Sequence, residues 1–235
     1  MEICDKPIID VIIPAFNEEK SIGKVVSEIP LNWVRNIYVA NNGSTDATVS
    51  VAESFGALTV TENRKGYGWA CLKAMDAIAK LEITPDIVVF LDGDYSDYPE
   101  QLIELVKPII EKDVKLVIGS RALGKKERNS LTPQQVFGNW LATKLMRIFY
   151  GLKYTDLGPL RAIEYKSLIA LQMADKTYGW TIEMQLKAGR KKMTYCEIPV
   201  DYRKRIGVSK VSGTIKGSVL AGIKIIFAVW KYRRA

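Results

Sequence analysis

No histidine occurs among the 235 residues of this chain. That absence removes Ser–His and Cys–His nucleophiles and every His-ligated metal centre, so any metal is held by oxygen ligands and any general base is a carboxylate. Cysteine is scarce too: Cys4, Cys71 and Cys196 are far apart and odd in number. They fit neither a disulfide framework nor a zinc site, which suggests a reducing, cytoplasmic compartment. Long hydrophobic runs are also missing. Residues 1–10 hold no apolar segment of signal-peptide length, and the uncharged runs near the C-terminus fall far below the ~20 residues that span a bilayer.

What is present is a chain with 48% hydrophobic residues, enough for one α/β domain with a sizeable core. The net charge of +8 is unevenly spread, because residues 187–235 carry 13 Lys and Arg against two acids, Glu197 and Asp201. Such asymmetry points to an anionic partner for the C-terminal segment: membrane headgroups, a lipid phosphate or nucleic acid. Nucleic acid is not expected, since no stacking or groove-reading motif accompanies the charges.

Ile8–Phe16, Asn36–Asn42 and Leu58–Glu62 read as strands, each followed by a segment of helical period. Asn17 is the expected N-cap of the first helix. This rhythm predicts a mostly parallel sheet with helices on both faces. A fourth strand, Ile87–Leu91, ends in Asp92-Gly93-Asp94, two carboxylates that a turning glycine lets converge on one hard cation. An EF-hand is excluded, because Asp97 and Ile103 stand where Gly and Glu are required. An aspartyl phosphatase strand remains an alternative on these residues alone. Gly66-x-Gly68 lacks the third glycine of a dinucleotide fingerprint, Cys71 standing there, and reads instead as a tight turn, with Arg64 and Lys65 placed to face phosphates.

Four stretches in order, Val11-Ile-Ile-Pro-Ala-Phe-Asn-Glu-Glu19, Asn41-Asn-Gly-Ser-Thr-Asp46, Asn63-x-x-Gly-x-Gly68 and Asp92-Gly-Asp94, resemble the nucleotide-sugar half of family 2 glycosyltransferases. The motifs resemble in particular those of the dolichol-phosphate mannose synthases and polyprenyl-phosphate glycosyltransferases. The resemblance implies a GT-A fold over residues 1–213, followed by a basic amphipathic helix, 214–235, with peripheral membrane contact. It also tells against the phosphatase alternative, whose motif comes early in a chain rather than after three strand–helix units.

By the same resemblance Pro14, Phe16 and Glu18 line the base and ribose, and Asn42 and Asp46 read the base. Asp92 and Asp94 hold Mg or Mn against the donor phosphates. Asp156, in Thr155-Asp-Leu-Gly-Pro-Leu-Arg-Ala162, is the candidate catalytic carboxylate, or an orienting one if the acceptor is an already ionised lipid phosphate. Arg121 meets the acceptor phosphate, and Trp180 stacks on a sugar. Arg203, Arg205, Ser209 and Lys210 form a basic phosphate loop. The implied reaction moves a hexose from a UDP- or GDP-sugar to an acceptor, polyprenyl phosphate at the cytoplasmic membrane face being the first choice; a soluble or saccharide acceptor, or a non-catalytic nucleotide-sugar-binding protein, is the alternative.

Overall fold

The computed structural model describes residues 6–207 and 215–234. Strands β1 (Ile9–Ala15), β2 (Asn36–Asn41), β3 (Leu58–Thr61) and β4 (Ile87–Phe90) alternate with helices α1 (Ile22–Ser27), α2 (Thr48–Ser54) and α3 (Tyr67–Ile78). After them come α4 (Leu102–Lys112), β5 (Leu116–Ser120), α5 (Pro133–Tyr150), β6 (Arg161–Glu164), α6 (Tyr165–Leu171), α7 (Trp180–Arg190), β7 (Tyr195–Pro199) and α8 (Ile215–Arg234). The seven strands form one sheet in the order β3-β2-β1-β4-β6-β5-β7. β6 runs antiparallel to both its neighbours, and every other pair is parallel.

Because side chains alternate along a strand, each central strand feeds two cores. Val11, Ile13, Val39 and Val89 pack with Ile22, Val25, Ala52 and Leu105 from α1, α2 and α4. Ile12, Tyr38, Val88 and Phe90 pack with Ala74, Met146, Ile182 and Val229 from α3, α5, α7 and α8 on the opposite face. The expected α/β architecture, helices covering both faces of a mostly parallel sheet, is therefore what forms.

Three local expectations fail. Strand β6 was not anticipated, since its four residues include Arg161, fully buried, whose guanidinium donates to the carbonyls of Leu157, Gly158 and Thr181. Burial draws its pKa down to about 10. Asn17 does not cap α1. It sits at φ 54°, and its side-chain oxygen accepts from the Thr45 N–H, tying the β1 end to the β2 end. The turn after β4 is made by Tyr95 at φ 68°, not by Gly93, whose φ is not positive.

The two long helices near the C-terminal half leave large apolar residues exposed. α5 opens with Thr132 and Gln135 in a capping box and with Pro133 as its first residue. Its buried positions are Ala142 and Met146, whereas Val136, Phe137, Trp140, Ile148 and Phe149 lie on the surface. α8 packs on α5 and α7 through Ala228, Val229 and Tyr232. Tyr150 donates to the Val229 carbonyl at 2.5 Å and Tyr232 to the buried Glu183 at 2.5 Å. Ile226, Phe227 and Trp230 remain exposed beside the α5 aromatics. Among the described residues no helix is long and apolar enough to cross a membrane.

Candidate active site

The strands β1, β2 and β4 end on one side of the sheet, which is where an open α/β sheet leaves a crevice. A cavity of about 1040 Å³ opens there. From β1 and the segment after it come Pro14, Phe16 and Glu18, from the β2 end Asn42, from the turn before α3 Lys65, and from the start of α3 Tyr67. Asp92 and Asp94 follow β4, Arg121 follows β5, and Arg205 arrives from the segment after β7. Phe137 and Leu141 of α5, Leu157, and Ile225 and Ile226 of α8 add apolar lining, with Gln134, Gln135 and Asn139 of α5 among them.

Asp92 and Asp94 are held differently. Asp94 is 3% exposed; its Oδ1 accepts from the Ser96 N–H (2.9 Å) and hydroxyl (2.5 Å), and its Oδ2 meets Arg205 at 2.5 Å. Among the described residues the Asp92 carboxylate accepts one hydrogen bond, from Tyr67 OH at 3.1 Å. Burial, together with the neighbouring Asp94 charge, pushes the Asp92 carboxyl up to about 6. Burial and the same two charges raise Asp97 well above the carboxylate range. Its Oδ1 is buried with no hydrogen-bond partner among the described residues. Burial first, and the neighbouring charges next, make ionisation of Asp92 and Asp97 costly; a hard cation relieves that cost, so the Asp92–Asp94 pair fits a divalent ion with oxygen ligands. Among the described residues no group of three or more acidic or sulfur side chains is placed to hold a metal ion.

Arg121 and Arg205 line the cavity beside these acids, and Arg203 does not. Arg121 makes a fork to Asp156, Nε–Oδ2 2.8 Å and Nη2–Oδ1 2.7 Å, and its backbone N–H adds a third bond at 2.7 Å. Burial works against the Arg121 charge, and the Asp156 carboxylate more than offsets it, so the guanidinium stays firmly protonated. Asp156 is anchored in turn, its N–H donating to Glu197 and its carbonyl accepting from Gln185. Arg203 lies over the Tyr95 ring at 3.3 Å and the Tyr98 ring at 4.3 Å, with Glu28 at 2.7 Å.

The structure thus gathers Pro14, Phe16, Glu18, Asn42, Lys65, Asp92, Asp94, Arg121 and Arg205 around one cavity. Other expected residues stand elsewhere. Trp180 is 1% exposed and packs against Phe90 with ring centroids 6.0 Å apart, so it is core and cannot stack on a sugar. Tyr178, two residues earlier, lines the cavity instead. Asp156 does not reach the cavity wall, since both its oxygens are taken by Arg121. Arg203 is occupied by Glu28 and the two tyrosines, and Arg64 pairs with Glu62 at 2.6 Å while lying 3.5 Å from the Trp69 ring.

Asp46 accepts from the N–H groups of Glu19 and Thr48 and caps the start of α2 rather than facing the cavity. Asn42 lines the wall, but its amide is committed to the carbonyls of Glu62 and Arg64 and to the Gly66 N–H. Ser209 and Lys210 lie outside the described residues. Two site residues escaped the sequence reading. Tyr67 was hidden between glycines that serve close packing, since a Cβ on Gly68 would lie 2.0 Å from the Asp175 carbonyl oxygen. Asn139 had a usable signal: a polar residue at i, i+3, i+7 spacing with the buried Ala142 and Met146, where it bonds the Thr155 carbonyl and the Leu157 N–H.

The profile of glycosyl transferase family 2 matches residues 10–172. The chain belongs to that family. A Mycobacterium tuberculosis protein described as an uncharacterized glycosyltransferase is 31% identical over 226 residues, 95% of this chain and 96% of that one. Undecaprenyl-phosphate mannosyltransferase of Micrococcus luteus is 29% identical, with 90% of each chain covered. The crystal structure of glucosyl-3-phosphoglycerate synthase from Mycobacterium tuberculosis with Mn2+, uridine diphosphate and phosphoglyceric acid superposes with a TM-score of 0.76 at 21% identity, over 97% of this chain and 78% of that one. The fold of this family 2 glycosyltransferase is accordingly GT-A, and the cavity at the strand ends is its candidate active site.

Proposed function

We propose that this glycosyltransferase moves a hexose, with inversion, from a UDP- or GDP-sugar to polyprenyl phosphate at the cytoplasmic face of a membrane. The observation that carries the reading is the mixed lining of the cavity: charged Asp92, Asp94, Lys65, Arg121 and Arg205 together with apolar Phe137, Leu141, Leu157, Ile225 and Ile226. The charged groups suit a sugar diphosphate and an acceptor phosphate, and the apolar ones suit a hydrocarbon chain joined to that phosphate.

Phe16, with Lys65 3.9 Å from its ring centroid, and Pro14 form the surface for the base. Asp92 and Asp94 would hold Mg or Mn. When bound, that ion would neutralise charge developing on the departing nucleoside diphosphate. Arg121, fixed by Asp156, presents a permanent positive charge to the acceptor phosphate, whose ionised oxygen attacks the anomeric carbon in line with the leaving group. No proton need be removed from such an acceptor, so Asp156 positions Arg121 rather than acting as a base. The aromatic surface of α5 and α8, flanked by Lys144, Arg147, Lys231 and Arg233, would rest on anionic headgroups.

Radiolabelled transfer tests the reading: purified protein, Mn2+ or Mg2+, a panel of UDP- and GDP-sugars, and polyprenyl phosphate in detergent. Label entering the organic phase with one donor is the expected result. Transfer to a soluble phosphorylated acceptor, with none to lipid, would refute the lipid assignment and keep the donor site. No donor consumed under any condition would refute both.

A further inference from the structure

Both oxygens of Asp94 are already taken: Oδ1 by the Ser96 N–H and hydroxyl, Oδ2 by Arg205 at 2.5 Å. Asp94 is nearly buried, so a cation arriving from the cavity meets a carboxylate that already has a positive partner. The two arginines at the site differ in how they are held. Arg121 makes a three-bond fork with Asp156. Arg205 reaches Asp94 through Nη2, its Nε is buried without a hydrogen-bond partner among the described residues, and its side chain is 25% exposed. A fork is worth more than a single charged contact, and it costs more to break.

The backbone carrying Arg205 is, by contrast, clamped to the carboxylate turn. The Ile206 N–H donates to the Asp94 carbonyl (2.9 Å) and the Arg203 N–H to the Ser96 carbonyl (3.0 Å). The Arg203 side chain adds a bond to the Tyr95 carbonyl at 2.8 Å, the stack on Tyr95 and Tyr98, and the Glu28 pair. Tyr95 is the residue that turns the chain at positive φ, and its hydroxyl donates to Glu28. The anchor is made of several bonds, and among the described residues the guanidinium beyond it is held at one point.

We propose that Arg205 is a tethered stand-in for the divalent cation: in the donor-free enzyme its guanidinium occupies Asp94, and metal enters by displacing it. The displaced guanidinium stays on the cavity wall, where its clamped backbone keeps it within reach of the donor diphosphate. Metal binding thereby releases a phosphate ligand, so metal and donor favour each other's binding. Before the metal arrives, the same contact supplies the positive charge that Asp94 needs in a buried setting. This inference rests on the metal site assigned above.

The test is Mn2+ binding followed by the EPR signal of free Mn2+, with no sugar donor present. Arg205→Gln should bind Mn2+ about 10-fold tighter than the natural protein, a step that corresponds to about 1.4 kcal/mol. Lys65→Gln removes a cavity charge that touches no carboxylate, and it should change Mn2+ affinity far less. Arg203→Gln keeps the Arg205 guanidinium but breaks its anchor, and should tighten Mn2+ by a few-fold. Adding UDP, then GDP, should improve Mn2+ affinity more in the natural protein than in Arg205→Gln. Equal gains from Arg205→Gln and Lys65→Gln would overturn the stand-in, leaving only a general charge effect. So would an unchanged affinity in both arginine variants while the natural protein binds Mn2+ with UDP or GDP. If no form binds Mn2+ even with nucleotide, the metal site itself is wrong and the stand-in falls with it.

Discussion

Asp156→Asn separates the two roles that a carboxylate can play beside this site. The side chains of Asp156 and Arg121 are 3% and 12% exposed, and three hydrogen bonds of 2.7 to 2.8 Å join the two residues. Removing one partner of such a pair leaves a buried charge uncompensated, which typically costs 3–5 kcal/mol. An asparagine keeps one acceptor, so the low end, about 3 kcal/mol, is the expected loss. For a chain of this size about 1 kcal/mol moves Tm by roughly 2–4 °C, giving a fall of about 6–12 °C by differential scanning calorimetry. Adding Arg121→Met removes the stranded charge, and the double variant should melt above Asp156→Asn alone. In transfer assays the single variant should raise KM for polyprenyl phosphate, with the shape of the pH–rate profile kept. A variant of unchanged Tm whose profile loses its acidic limb would refute this reasoning, because Asp156 would then be acting as a base.

Asp94→Asn should keep the fold and lower transfer by at least about 10²–10³-fold, as loss of one electrostatic ligand at a reacting diphosphate commonly does; circular dichroism beside the assay checks both halves. Gly68→Ala should destabilise by several kcal/mol, because its Cβ would lie 2.0 Å from the Asp175 carbonyl oxygen. In Gly222→Ala on α8, by contrast, the added Cβ meets nothing within 4 Å and should be neutral or stabilising, and thermal melts compare the two. The Arg64 hydrogen bond draws the Glu62 carboxyl down to about 2, from an ordinary value of 4.5. Its stabilisation is therefore complete above about pH 4.5 and lost as pH falls toward 2, where the unfolded chain binds the extra proton. Arg64→Gln should flatten that acid limb in Tm against pH. High salt should shrink the difference, since Arg64 is largely exposed.

Period and turn chemistry made most of the sheet legible. β1 to β4 are short apolar runs closed by turn-formers, and their helices follow at the expected spacing. β6 was not legible, because an antiparallel strand of four residues with a buried arginine has neither the length nor the alternation that signals a strand. Its partners are the carbonyls of Leu157, Gly158 and Thr181, which only the folded chain supplies. α5 shows the opposite failure. Its large apolar residues fall at helical spacing, but the inward seam consists of Asn139, Ala142 and Met146. Small and polar residues let α5 approach α7 and α8 closely, leaving Phe137 and Trp140 outside.

At the site, sequence position carried the chain termini of strands well and the assignments of individual charges poorly. Pro14, Phe16, Asp92 and Asp94 follow directly from strand ends, and a strand end fixes where a side chain emerges. The charge of an arginine says nothing about which carboxylate will meet it. Arg203 and Arg205 are two residues apart in one basic run, yet one is spent on Glu28 and two tyrosine rings while the other meets Asp94. The same holds for Asp156, whose role turns on Arg121, 35 residues earlier in the chain. Buried ionic groups take their function from their partners, because an unpartnered charge there is too costly to persist. Their roles are therefore set by the tertiary pairing of loops, and the cation facing Asp94 is the pairing on which the chemistry of this site turns.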